Sequence, residues 1–175
     1  MRLWPVALAL ALGCGPSQRV TPGPKPLAES PAVERKIRAE SPEVTVRGED
    51  GEVAYVVRAE TSKMTVGEEG AASGALSGVS GEIRKGGQTA SKFKATSGEV
   101  DQKSRTLTLQ GEVTVTDEAR GIVLKAQRVF YAEAKGRIEA SGQVTVSSGS
   151  ALLGPVDALW ASPGLERVAT PDLYK

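Results

Sequence analysis

The chain offers a single thiol, Cys14, and no imidazole, because histidine is absent. Ser-His pairs and His-containing metal sites are therefore excluded. Glu49-Asp50 and Glu68-Glu69 are neighbouring carboxylates beside glycines, the composition of charged turns. Nothing in their spacing suggests the opposed pair of a glycosidase. Ser147, Ser148 and Ser150 lack the G-x-S-x-G setting of a nucleophile elbow. The expectation is a protein that is not an enzyme and uses no cofactor and no metal.

Cys14 has a more telling context. After Met1-Arg2, residues Leu3 to Leu12 are apolar throughout, and Ala11-Leu12-Gly13 brings small residues to the thiol. A hydrocarbon core of ~30 Å needs ~20 helical residues, so this stretch is too short to span it. It has the size of a secretory h-region with its cleavage site. With cysteine at the cut, it resembles the lipobox of bacterial lipoproteins, although Ala11 stands where that pattern more often has leucine. The resemblance implies a signal peptide over 1–13 and lipidation of Cys14. Removing Arg2 with the leader leaves 21 basic residues against 21 acidic ones. That balance argues against nucleic acid, which needs clustered Lys and Arg. It also leaves anchoring to the acyl chains, which at ~0.8 kcal/mol per buried CH₂ suffice when two or three are present.

Beyond Cys14, half of the ten prolines fall between Pro16 and Pro31. This composition reads as an extended, semi-rigid leash over 14–42, with a turn or two of helix expected in Ala32–Glu40. From Glu43 to Gly154 there is no proline. Sheet interiors exclude proline because it lacks a ladder donor. Short alternation fills this stretch: Leu107, Leu109, Val113 and Val115 share one parity, as do Ile122 and Leu124, and Ile138, Val144 and Val146. Period-2 patterning between Gly, Ser, Asp and Lys clusters predicts half-buried strands, hence an all-β domain over 43–175.

A repeat underlies the alternation. Gly81-Glu82-Ile83-Arg84 returns as Gly111-Glu112-Val113-Thr114 and Gly142-Gln143-Val144-Thr145, at intervals of 30 and 31, with Gly98-Glu99-Val100 out of phase. Val57-Arg58-Ala59, Phe93-Lys94-Ala95 and Leu124-Lys125-Ala126 interleave with it. Each unit supplies a pair of strands, and glycine marks turns or close backbone approach.

This ordered series resembles the periplasmic domain of the LptC family of lipopolysaccharide-transport proteins, kin to LptA and other OstA-like proteins. Asp50-Gly51 with Tyr55-Val56-Val57-Arg58-Ala59 resembles the family's opening strand. Phe93-Lys94-Ala95 leading to Gly98-Glu99-Val100, and above all Leu107 to Val115, continue the likeness; Phe130-Tyr131, Ile138 to Val146 and Ala158-Leu159 extend it. Gln110 and Ser141 depart from the pattern, as does a lipid on Cys14 where the family has a transmembrane helix. The resemblance implies a twisted, open β-jellyroll of stacked antiparallel strands with an apolar groove. Its lining would comprise Val57, Phe93, Leu107, Leu109, Val113, Val115, Leu124, Ile138 and Val144. The implied cargo is lipopolysaccharide or a related glycolipid, received from an LptF/LptG-like permease and passed to an LptA-like bridge protein. Partner edges would lie at Tyr55 and Ala59, and at Ala158 and Val168. The implied location is the periplasm, anchored through Cys14, with the inner membrane preferred to the outer. Two other readings compete: an assembly lipoprotein that docks partners by β-strand augmentation, and an envelope hydrolase with an acidic cleft.

Overall fold

The computed structural model describes residues 35–67 and 70–174. Cys14, the leader and most of the expected leash lie outside the described residues, as do Glu68 and Glu69. The described chain is all-β, with eleven strands in one antiparallel, twisted, jellyroll-like sheet. In chain order they are β1 (Arg35–Glu40), β2 (Glu43–Arg47), β3 (Val53–Arg58), β4 (Thr61–Val66), β5 (Ala72–Lys85) and β6 (Gln88–Asp101). There follow β7 (Thr106–Asp117), β8 (Ile122–Ala132), β9 (Arg137–Ser148), β10 (Ala151–Ala161) and β11 (Val168–Ala169). A 3₁₀ turn, Glu133–Lys135, links β8 to β9. No helix among the described residues is long and apolar enough to cross a membrane.

β1 corrects the helix expected in Ala32–Glu40. Its residues are good helix formers, but so short a helix is marginal without tertiary support. β4 supplies that support as a ladder instead, from Arg35↔Val66 to Glu40↔Thr61. The sheet therefore begins inside the stretch read as leash.

β5 is shared between two neighbours. Ala72–Ser77 pairs with β4, and Ser80–Ile83 pairs with β3. The sheet thus divides into a first arm, headed by β1 and β4, and a second arm, headed by β2 and β3; β6 to β10 run through both. Where they cross between arms the strands turn a corner. Its outer side carries two consecutive non-core residues in β5 (Ser77, Gly78), β6 (Thr96, Ser97) and β8 (Gln127, Arg128). In β7 and β9 there are three, Gln110–Glu112 and Ser141–Gln143, because each strand holds one extra residue against its neighbours. These bulges are the Gly-Glu-Val and Gly-Gln-Val copies of the repeat, with φ of +74° at Gly111, +48° at Glu112, +79° at Gly142 and +51° at Gln143.

Alanine at Gly111 would place its Cβ 2.9 Å from the Thr96 side chain, and alanine at Gly142 would meet Gln127 at 2.8 Å; Gly121, φ +64° in a hairpin, has open space. All three substitutions incur left-handed strain of roughly 1–2 kcal/mol. Gly111→Ala and Gly142→Ala add overpacking of about 1 kcal/mol or more. Urea denaturation should therefore rank both below Gly121→Ala in stability.

The core lies between the arms in cross-strand rows. One row of the second arm passes through Val44, Val57, Gly81, Phe93, Val115, Leu124, Val146 and Leu153 in successive register. One row of the first arm passes through Ile37, Met64, Gly74, Val100, Leu107, Tyr131, Ile138 and Ala161. Proline re-enters the sheet at Pro155, where β10 shifts register against β9, as a residue without an N–H donor requires.

Candidate functional site

All nine residues expected to line a groove face the space between the arms and join one apolar cluster. None is more than 2% exposed. In place of an open trough there is a filled interior. Small and β-branched side chains from one arm interdigitate with those of the other, as close-packed cores do. At the ends of the two inward rows, Ile37 on β1 is 47% exposed and Leu153 on β10 is 49% exposed.

Opposite the corner, the tips of the two arms meet in a mouth closed by polar contacts. Arg105, at the β6–β7 tip of the first arm, pairs with Glu49 of the β2–β3 turn at 2.6 Å and with Glu133 at 3.4 Å. Arg120, at the β7–β8 tip of the second arm, donates to the Gly164 carbonyl at 2.9 Å and pairs with Glu166 at 3.5 Å. It also pairs with Asp117, a carboxylate 3% exposed. Burial pushes the Asp117 carboxyl up, but the hydrogen bonds and charge of Arg120 outweigh it and hold it below the usual carboxylate range. Leu165, 2% exposed, is inserted beneath this second closure. A cavity of about 190 Å³ sits in the mouth, lined from one arm by Arg84 and Lys85 and from the other by Tyr131 and Glu133.

Two tyrosines brace the arms. The Tyr55 hydroxyl, on β3, donates to the Thr106 carbonyl of β7 at 2.8 Å, and its ring meets Tyr131 edge-on at 5.9 Å. Burial, then the charge of Asp101 and the neighbouring Tyr131, drive the Tyr55 phenol far above its ordinary value. Burial and then Glu133 push Tyr131 up to about 12. Because the folded values are raised, this stability is fully present below pH ~10 and is lost as pH rises toward the folded values, by up to ~1.4 kcal/mol per pH unit for each phenol. Urea melts from pH 8 to 11.5 should show that decline, and Tyr55→Phe should flatten it.

The expected partner edges are redistributed. Tyr55 is fully buried and β3 is paired on both sides, by β2 and β5, so neither it nor the buried Ala59 lies at an edge. Among the described residues the N-terminal edges are β1 and β2. At the other end β11 covers only Trp160 and Ala161 of β10, leaving Ala151–Leu159 without an outer pairing strand among the described residues. Ala158 is half-buried on β10 opposite Ser141, and Val168 belongs to β11. The C-terminal tail is latched by Tyr174 edge-on to Trp160, whose ring carries the Arg137 guanidinium at 3.7 Å.

Sequence reasoning missed the mouth. Arg105, Arg120 and Glu133 stand in turns where charge is ordinary, and the contacts that distinguish them cross between arms. The one available signal was Ser162-Pro163-Gly164-Leu165, an apolar residue inside turn composition. Among the described residues no group of three or more His, Cys, Asp or Glu is placed to hold a metal. Comparison with protein-family models and with curated proteins returns no match.

Proposed function

We propose that the protein is a non-enzymatic lipid-transfer component of a bacterial envelope. In this reading it is tethered through lipidated Cys14, receives lipopolysaccharide or a related glycolipid from an LptF/LptG-like permease and hands it to an LptA-like bridge. The observation that carries the reading is the apolar row from Val44 to Leu153, which crosses the second arm and remains exposed at its end. An acyl chain replacing inter-arm contacts exchanges one apolar environment for another, so loading costs little beyond parting the mouth. A photo-crosslinker at Leu109 or Val113 should capture glycolipid in cells. Capture confined to Thr108 or Thr114, beside the core positions, would overturn the reading. Mass spectrometry of the mature N-terminus should find the lipid on Cys14.

A second reading, docking by strand augmentation without cargo, is favoured by the Ala151–Leu159 edge, unpaired on its outer side among the described residues, and by Leu152 within it, 70% exposed. It predicts partner capture by that edge with no crosslinked lipid from the interior.

A further inference from the structure

We propose that the cavity in the mouth is a saccharide subsite, which takes the sugar headgroup of an amphiphile whose chains lie between the arms. This rests on the lipid-transfer reading and adds a polar recognition element to it. The cavity, about 190 Å³, is bounded by both arms. Tyr131, one of its lining residues, also belongs to the apolar cluster, so the cavity adjoins the apolar interior. An amphiphile seated there would have its polar end in the mouth and its chains directly beneath.

The chemistry of the walls selects a class of headgroup. Asp50, Glu52 and Glu133 line the cavity together with Arg84 and Lys85, a mixture of signs that gives an anion no net attraction. It suits a neutral or amino sugar, whose hydroxyls donate to carboxylates and accept from guanidinium. Arg84 and Glu133 also keep unused hydrogen-bonding capacity. Arg84 Nε and Glu133 Oε2 are buried without a hydrogen-bond partner, with only ion-pair neighbours at 3.7 Å (Glu82) and 3.4 Å (Arg105). Buried polar atoms are normally satisfied, and a ring hydroxyl reached by a small side-chain rotation would satisfy either.

The test uses the full chain carrying Cys14→Ser, so that no anchor competes, and three probes: octyl glucoside below its micellar concentration, an octyl polyoxyethylene ether of matched chain, and methyl glucoside. Calorimetry should give tighter binding of octyl glucoside than of the ether by roughly fivefold or more, the worth of a hydrogen bond to a charged group. Glu133→Gln and Arg84→Lys should each erase that preference, read as the ratio of the two amphiphiles' affinities within the same variant; amide shifts on adding methyl glucoside should centre on residues 84, 131 and 133. Equal affinity for both amphiphiles in the unmodified mouth would overturn the subsite and leave the lipid reading standing. Methyl glucoside shifts at the mouth with no amphiphile affinity would support the subsite and overturn the lipid reading. No shift at the mouth with methyl glucoside and no preference for octyl glucoside would overturn the subsite whichever variant folds.

Discussion

Replacing Phe93 by alanine should destabilise the domain by about 3–5 kcal/mol, the usual cost of emptying a buried aromatic site. Phe93 is 2% exposed and sits in register between Gly81 and Val115. The ring lies over Gly81 so closely that a Cβ there would stand 2.5 Å from Phe93 Cζ, and 2.1 Å from the Val56 carbonyl oxygen. The glycine exists to admit the ring, and no neighbouring side chain at that position can fill the hole that alanine leaves. At roughly 2–4 °C per kcal/mol for a domain of this size, the melting temperature should fall by about 6–20 °C. Gly81→Ala tests the same fit from the other side. Phe93→Leu should relieve only part of its cost, because the Val56 oxygen is backbone and cannot turn away. A fall below 1 kcal/mol for Phe93→Ala would show that the arms close over the vacancy.

The corner explains which strands were legible in the sequence. In β7 the inward residues Leu107, Leu109, Val113 and Val115 keep one parity, because three outward residues at the corner restore the alternation. β9 does the same, with Ile138 and Ala140 followed by Val144 and Val146. In β8 only two residues turn the corner, so Leu124 and Ala126 give way to Val129 and Tyr131 on the opposite parity. β5 switches likewise between Leu76 and Val79, and β6 between Phe93 and Val100. A period-2 reading therefore follows the bulged strands from end to end and loses the others halfway. The repeat was equally informative and equally mixed. Its copies at Gly111 and Gly142 are left-handed bulges, whereas Gly81 and Gly98 are sites of close approach, where an added Cβ would stand 2.1 Å from the Val56 oxygen and 3.0 Å from the Thr108 oxygen. One tetrapeptide serves two purposes, and only the pairing partner decides which. The mouth was illegible for a different reason: its contacts, such as Arg105 to Glu49, join residues 56 apart in sequence across two arms.

Val113→Arg should abolish folding, and the reason bears on how lipid transfer is tested. Val113 is 1% exposed, opposite Ala126 and just past the Gly111 corner, and it belongs to the apolar cluster, so a guanidinium placed there is buried among apolar side chains. An unpaired buried charge costs several kcal/mol even after relaxation. That is comparable to the whole stability of about 5–15 kcal/mol typical of such a domain. In an open trough the same arginine would hang in solvent, block passage and leave the fold intact. The packed interior predicts the opposite order, with loss of structure first. Thr114→Arg, one residue along and outside the core, should change stability by no more than about 0.5 kcal/mol, as surface substitutions do. Circular dichroism melts of the two variants settle the matter. A folded Val113→Arg protein with a near-native melting temperature would mean that the arms stand apart in solution and that the conduit is open before any lipid arrives.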